Sequence, residues 1–174
     1  MLDNAPLAYG LPPPSLVHVA SGEVRIGRNG EVLGALLGSC VAIGMIWPAA
    51  GRCGLAHCLL PESGGTLLRI GARHVDHAVA SLLALMKAGD ADKSQIEVVL
   101  AGGAAMLGMS RAGGAIGPAN VAAAHKHLAA SGLTVRHQET GGRRGRLIRI
   151  DCADQSFSIR KIASPTPEQQ HAYL

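Results

Sequence analysis

The chain has 174 residues, a mass of 17.8 kDa and a formal net charge of +4. A composition that is 48% hydrophobic and 16% charged excludes a fully disordered protein, and the length suits one domain with a hydrophobic core. The apolar stretches are too short, or too often broken by glycine and proline, to cross a membrane as a helix, and no secretory signal is visible. We therefore expect a cytoplasmic protein without membrane insertion, whose four cysteines are thiols.

Three strands are predicted in the first third of the chain. HVASGEVRI, at 18–26, is interpreted as one strand because its polar and apolar residues largely alternate. The segment at 41–47 is apolar throughout, which fits a buried strand or a short buried helix, and we predict a strand. GLAHCLLP, at 54–61, follows the turn PAAGR and is expected to pair with it.

Two helices and four strands are predicted in the remainder. Apolar residues at helical spacing predict a helix over 72–88 that Gly89 ends, and a second helix is expected over 118–130, with Pro118 in its first turn. IEVVLAGG and LTVRHQET are interpreted as strands, and GRLIRIDCADQSFSIRKI as a hairpin with its turn at 153–155.

The order of these elements predicts the fold class and the domain limits. Strands are grouped towards both ends of the chain and helices lie between them, which indicates an α+β fold with a mixed β-sheet packed against helices. We predict a flexible N-terminal arm over 1–14, a single domain over 15–162 and a flexible tail over 163–174.

Cys40 and His57 lie seventeen positions apart in the apolar run LGSCVAIGMIWPAAGRCGLAHCLLPES. Gly38 and Ser39 precede the cysteine, where a tight turn can leave backbone N–H groups free to hold an oxyanion. A thiolate is a strong nucleophile, and an imidazole one strand away can accept the thiol proton. The pair is therefore a candidate catalytic centre, although a buried cysteine or histidine is more often an ordinary core residue.

Zinc binding by Cys40, Cys53, His57 and Cys58 is an alternative interpretation of the same run. The residue types suit zinc, but consecutive residues of a strand point to opposite faces, and no C-x-x-C pair is present. We therefore predict no metal and no cofactor. Cys58 and Cys152 are interpreted as structural thiols and Cys53 as a turn residue.

The basic cluster of the sequence is GGRRGR, at 141–146. It fits a solvated loop or a surface that faces an acidic protein. Nucleic-acid binding is not expected, because no aromatic residues alternate with the arginines to stack on bases. AGGAAMLG, at 101–108, lacks the Lys-Ser/Thr pair of a phosphate-binding loop and is interpreted as a tight turn after a strand.

Six blocks, in the same order, resemble the chemoreceptor glutamine deamidase family, named CheD. LGSCVAI and GLAHCLLPES resemble the cysteine and histidine blocks with the same gap, and ARHVDHAV resembles the start of the central helix. AGGAAML is similar to the glycine-rich turn, IGPANV to the start of the second helix, and ETGGRRGR with SIRKI to the C-terminal blocks. The resemblance covers residues 17–162, which is most of the chain.

The resemblance implies a cysteine-hydrolase α/β sandwich and a protein-glutamine glutaminase that converts specific glutamines of chemotaxis receptors, the methyl-accepting proteins, to glutamate. By position, Cys40 is the implied nucleophile and His57 the implied general base, and the reaction passes through a thioester that water hydrolyses. Some family members also hydrolyse glutamate methyl esters. Receptors are the implied partners, and the CheC phosphatase, which binds family members in some species, is a further candidate partner.

Two departures from the family pattern bear on activity. The family commonly has a threonine five or six positions before the cysteine, which orients the histidine, but Ala35 and Gly34 occupy those positions. Ser39 or a backbone carbonyl is then the candidate substitute. Ala119 and Ala105 replace a family arginine and asparagine, which bears on substrate or partner contacts. The alternative function is a catalytically weakened module that binds the receptor or the phosphatase.

Overall fold

The computed structural model describes residues 14–65, 70–105 and 111–162. The predicted arm and tail therefore lie outside the described residues, except for residue 14, and remain predictions. No helix in the described part of the chain is long and apolar enough to span a membrane.

The described residues form nine strands in two sheets. The five-stranded sheet has the order β2 (Val24–Gly27), β5 (Arg52–Cys58), β4 (Val41–Trp47), β6 (Glu97–Gly102) and β7 (Val135–Thr140). The four-stranded sheet has the order β1 (Ser15–His18), β3 (Glu31–Leu37), β8 (Arg146–Asp151) and β9 (Ser156–Lys161). Neighbouring strands are antiparallel, except that β1 is parallel to β3 and β6 to β7. This mixed pairing confirms the predicted α+β class.

Two helices, α1 (Val75–Met86) and α2 (Arg111–Ala130), cover one face of the five-stranded sheet, and the four-stranded sheet covers the other face. Alternation along β4 separates the two cores. Val41, Ile43 and Met45 pack on the helix side, whereas Ala42 and Ile46 pack between the sheets. The chain is therefore a three-layer sandwich, as the resemblance implies.

Most predicted elements are confirmed, with different ends. The segment at 41–47 is β4, GLAHCLLP contains most of β5, and the C-terminal hairpin turns at the expected residues. α1 ends at Met86 rather than near Gly89, because Lys87 takes a left-handed conformation and its N–H caps the helix. α2 begins at Arg111, so Pro118 lies inside it. A proline inside a helix removes one intrahelical hydrogen bond and crowds the carbonyl four residues earlier, which is why the sequence pattern indicates a helix start at Pro118.

The single strand predicted at 18–26 is wrong. β1 ends at His18, β2 begins at Val24, and the two strands belong to different sheets. Between them the Glu23 N–H donates to the Ala20 carbonyl (3.0 Å), and Gly22 has a φ of +86°. Glycine adopts this φ without a steric penalty. The chain therefore turns and crosses between the sheets where a continuous strand was expected.

Candidate active site

Cys40 and His57 lie at the same end of the five-stranded sheet. Cys40 ends the bend at 38–40 between β3 and β4, and His57 is the penultimate residue of β5. Ala42 pairs with His57, and Cys40 lies two positions before Ala42, so the three side chains occupy the face towards the second sheet. His57 is 4% exposed, whereas Cys40 is only partly buried. A substrate side chain can therefore approach the cysteine from solvent.

The hydroxyl of Ser21 lies between the thiol and the imidazole. Ser21 Oγ is 3.9 Å from Cys40 Sγ and 3.3 Å from His57 Nε2. The turn that carries Ser21 is attached to β5 on both sides of the histidine backbone: Gly22 N–H donates to the His57 carbonyl (2.8 Å), and His57 N–H donates to the Glu23 carbonyl (3.0 Å). The sequence patterns do not single out Ser21, and its only signal is a Ser-Gly dipeptide typical of turns.

The imidazole of His57 is oriented by a backbone carbonyl. His57 Nδ1 lies 3.0 Å from the Val19 carbonyl oxygen, and Val19 N–H donates to the Gly34 carbonyl (2.8 Å). Because a carbonyl only accepts, this contact assigns the proton to Nδ1 and leaves the Nε2 lone pair facing Ser21. The orienting contact thus comes from the main chain of the segment misinterpreted as a strand.

Gly34 and Ala35, at the positions where the family threonine is expected, offer no hydroxyl to the imidazole. Ala35 is buried in the core between the sheets. A Cβ added at Gly34 would lie 3.2 Å from Leu16 Cδ1, on the outer side of the four-stranded sheet. A side chain at Gly34 would therefore point away from His57.

Burial keeps both reactive groups uncharged at rest. Burial lowers the pKa of His57 below its ordinary value of 6.5, against the opposing effect of the Val19 hydrogen bond. Burial also raises the pKa of the Cys40 thiol above its ordinary value of 9.0, and the Ser21 hydroxyl and the backbone N–H of Cys40 act in the opposite direction. At neutral pH the site therefore holds a thiol and a neutral imidazole that can act as a base.

The bend at 38–40 is held through its carbonyl groups. The Gly38 carbonyl accepts from Ala104 N–H (2.9 Å), and the Cys40 carbonyl accepts from Gly103 N–H (2.8 Å). Within 14–65, 70–105 and 111–162, the N–H groups of Gly38 and Ser39 donate to no acceptor. Among the described residues these two N–H groups have no partner, which is what a role in binding an oxyanion requires.

Asn120 on α2 connects the cysteine bend to the histidine strand. Its fully buried amide donates through Nδ2 to the Ser39 carbonyl (3.0 Å) and to the Leu59 carbonyl (3.1 Å). Its Oδ1 is buried and has no hydrogen-bond partner among the described residues. Sequence patterns miss Asn120 because it lies 81 positions from Ser39, although IGPANV contains it beside Ala119.

Glycines let the turn after β6 approach the cysteine bend. Gly102 has a φ of +100°, and a Cβ added there would collide with the Cys40 carbonyl. A Cβ at Gly117 on α2 would lie 2.6 Å from the Gly103 carbonyl oxygen, so glycine also permits the close approach of the helix. The predicted tight turn is confirmed for 101–105, and 106–108 lie outside the described residues.

The loop after β7 lies beside this glycine turn. Gly141 N–H donates to the Gly102 carbonyl (2.9 Å), and the Gly142 carbonyl accepts from Ala105 N–H (2.8 Å). Hydrogen bonds thus connect the loop at 141–145, through the glycine turn, to the bend that carries Cys40.

The basic cluster divides into a structural residue and a surface pair. Arg146 is 5% exposed, and its guanidinium donates to the carbonyls of Gly141 (2.8 Å) and Thr140 (3.2 Å). Arg143 and Arg144 are exposed at the tip of the loop. These two arginines therefore present positive charge on a loop that hydrogen bonds connect, through the glycine turn, to the bend that carries Cys40.

The four residues of the zinc alternative do not converge. Cys58 packs on the helix side of the sheet, opposite to its neighbour His57. Cys53 is buried within β5, in the same core between the sheets as Cys152, so its interpretation as a turn residue is wrong. In the described part of the chain, no group of three or more His, Cys, Asp or Glu side chains could hold a metal ion.

A concavity of about 610 Å³ lies at the opposite end of the five-stranded sheet, with Asp90, Lys93 and Arg136 in its lining. Neither Cys40 nor His57 lines it. The reactive pair instead lies near the surface, which suits a side chain presented by another protein.

Comparison with known proteins gives one consistent result. The family described as CheD chemotactic sensory transduction matches residues 59–161. A probable chemoreceptor glutamine deamidase CheD 2 of Ruegeria sp. (strain TM1040) is 38% identical, with 85% of this chain and 93% of the relative covered. A probable chemoreceptor glutamine deamidase CheD of Bdellovibrio bacteriovorus is 35% identical (83% and 94% covered), and the chemoreceptor glutamine deamidase CheD of Thermotoga maritima is 35% identical (83% and 90% covered).

Proposed function

The chain belongs to the CheD family, and we propose that it is a protein-glutamine deamidase that converts glutamine side chains of chemotaxis receptors to glutamate. The observation that supports this most directly is the partly exposed Cys40 thiol beside a His57 whose Nε2 is free to accept a proton. Because the modified glutamines belong to the cytoplasmic region of receptors, the proposal also places the protein in the cytoplasm.

Cys40 is the proposed nucleophile. Its sulfur attacks the carboxamide carbon of glutamine as the thiol proton passes to His57, and the carbonyl oxygen becomes an oxyanion. The free N–H groups of Gly38 and Ser39 are the proposed donors to that oxygen. The imidazolium of His57 then protonates the departing ammonia, which leaves a thioester.

Water completes the reaction. Neutral His57 accepts a proton from the water that attacks the thioester carbon, and the thiol is regenerated with glutamate as product. The same sequence applies to a glutamate methyl ester, with methanol as leaving group in place of ammonia. Hydrolysis of methyl esters is therefore a second proposed reaction of the same site.

The charged loop beside the site supports an acidic partner surface. Arg143 and Arg144 are exposed on the loop at 141–145. Hydrogen bonds connect this loop to the glycine turn, and the glycine turn to the cysteine bend. We assign them to docking of an acidic stretch of the receptor, which would steer the glutamine towards Cys40.

Mass mapping of a receptor fragment tests the function. Purified full-length protein is incubated with a receptor cytoplasmic fragment, and each glutamine is followed for conversion of its amide to an acid. We expect conversion by the wild type and by Ser158→Ala, an exposed control on β9, and a loss on the order of a hundredfold or more in Cys40→Ala and His57→Ala. Equal conversion by Cys40→Ala would contradict the proposal.

A binding module without turnover is the competing function. The absent family threonine motivates this alternative, but the Val19 carbonyl holds the His57 ring without that threonine. A pull-down with receptor fragment and with the CheC phosphatase, run beside the activity assay, separates the two functions. Tight binding without turnover would favour the module, and the phosphatase remains a predicted partner.

A further inference from the structure

We propose that the Ser21 hydroxyl is a third catalytic group, which relays the thiol proton of Cys40 to Nε2 of His57. This inference rests on the proposed function and deepens it, because it names a group that acts in the first proton transfer.

The distances favour a relay over direct transfer. Ser21 Oγ is within hydrogen-bonding reach of both reactive atoms, at 3.9 Å from Cys40 Sγ and 3.3 Å from His57 Nε2. In the described part of the chain, no direct hydrogen bond joins the thiol to the imidazole. A hydroxyl suits the intermediate position because it donates one hydrogen bond while accepting others.

The proton transfer balances without any further reactant. The S–H bond of Cys40 breaks and its proton forms a new O–H bond on Ser21, while the original hydroxyl proton of Ser21 forms an N–H bond on His57 Nε2. The products are a thiolate, an imidazolium and an unchanged serine. The thiolate electron pair forms the new bond to the carboxamide carbon, and the imidazolium later gives its proton to ammonia.

The tautomer of His57 fits this direction of transfer. The Val19 carbonyl holds the proton on Nδ1, so Nε2 has a free lone pair on the side of Ser21. A ring with the proton on Nε2 would only donate to the hydroxyl and could accept nothing from it.

The hydroxyl of Ser21 has no evident structural task. Ser21 is exposed, and backbone bonds of its neighbours Gly22 and Glu23 hold the turn against β5. The polar contacts of its side chain among the described residues are those with Cys40 and His57. Ser21→Ala therefore removes the hydroxyl and leaves the fold in place.

Two readouts test the relay on the full-length protein. In Ser21→Ala we expect kcat to fall about 10- to 100-fold with KM within about twofold of the wild type. We also expect alkylation of Cys40 by iodoacetamide to need a higher pH, because the thiolate loses a hydrogen-bond donor. Ser21→Thr retains a hydroxyl and should restore most of the wild-type kcat and most of the wild-type pH profile of alkylation. Ser158→Ala should resemble the wild type in both measurements. Thermal unfolding verifies that each variant is folded.

The outcomes separate this inference from the proposed function. Turnover by the wild type with an equally active Ser21→Ala would overturn the relay and leave the deamidase proposal intact. Absence of turnover by the wild type would contradict the deamidase proposal. Alkylation of Cys40 needs no receptor, so it tests the relay even if the wild type shows no turnover. An unchanged pH profile of alkylation in Ser21→Ala would overturn the relay. A profile that moves to higher pH in Ser21→Ala and returns in Ser21→Thr would support it.

Discussion

The Nδ1 atom of His57 lies 3.0 Å from the carbonyl oxygen of Val19, and this contact determines what the imidazole can do. A serine protease uses a carboxylate to hold its histidine in the productive tautomer. Here a neutral main-chain group takes that position. The carbonyl orients the ring but adds no full negative charge, so the imidazolium formed in the reaction is stabilised less than beside a carboxylate. This is consistent with a pKa of His57 that burial holds below its ordinary value.

The tautomer is directly measurable. We expect ¹⁵N NMR of histidine-labelled protein at neutral pH to show His57 with Nδ1 protonated and Nε2 unprotonated, because only a donor can bond to the Val19 carbonyl. His125, whose side chain is exposed on α2, provides an internal reference for a mixture of tautomers. A protonated Nε2 on His57 would contradict the assignment.

The pH dependence of kcat/KM should be a broad bell. The lowered pKa of His57 keeps the base form to lower pH, so the acid limb should lie below 6.5. The raised pKa of Cys40 keeps the proton on the thiol to higher pH, so the alkaline limb should lie above 9.0. Beyond it no imidazolium forms to protonate ammonia. An alkaline limb below 9.0, or alkylation of Cys40 at a constant rate down to acid pH, would indicate a thiolate–imidazolium pair instead. An acid limb above 6.5 would contradict the lowered pKa of His57.

Removal of the Asn120 amide should weaken both stability and catalysis. Asn120→Ala loses the two hydrogen bonds to the Ser39 and Leu59 carbonyls, and we expect the free energy of unfolding to fall by about 2–4 kcal/mol. Because both carbonyls flank catalytic residues, kcat should fall as well. Asn120→Asp should be at least as harmful, since a carboxylate would face two acceptors. Urea unfolding measures the first effect, and a loss below about 0.5 kcal/mol would contradict this role.

Gly102 should not tolerate a side chain. A Cβ there collides with the Cys40 carbonyl and the residue has a φ of +100°, so Gly102→Ala should destabilise the fold by at least about 2 kcal/mol and suppress turnover. Gly65→Ala is the matched control, since a Cβ at Gly65 meets no described atom within 4 Å. Chemical unfolding of both variants gives the comparison, and equal stabilities would refute the steric explanation.

Loss of the two exposed loop arginines should affect substrate binding rather than chemistry. For the double variant Arg143→Ala/Arg144→Ala we expect KM for the receptor fragment to rise several-fold at low salt, with kcat nearly unchanged. The difference from the wild type should shrink at high salt, because ions screen exposed charges. Arg136→Ala, which removes an exposed arginine at the opposite end of the sheet, should leave KM unchanged. A lower kcat with an unchanged KM would argue against docking.

Local patterns in the sequence identify most of the elements and two of the site residues. The apolar runs of β4 and β5 and their short connection predict the pairing that brings Cys40 and His57 to one face. In the same way, the helical spacing of apolar residues predicts α1, and the turn residues predict the C-terminal hairpin. The ends of elements are less well predicted. Pro118 indicates a helix start because proline is disfavoured in a helix interior, yet α2 begins at Arg111.

The sequence alone predicted a mixed α+β fold from the order of its elements and singled out one thiol and one imidazole as a candidate pair, whereas the sandwich and the roles of the pair came from the resemblance to a known family. Only the tertiary structure decided which groups surround that pair. Ser21 and Val19 reach His57 across 36 and 38 positions of chain, and Asn120 reaches Ser39 across 81. A main-chain carbonyl has no side chain that a sequence pattern could reveal. Its contact with the imidazole exists only because the chain turns between the two sheets at Gly22 and places residues 19–21 against β5.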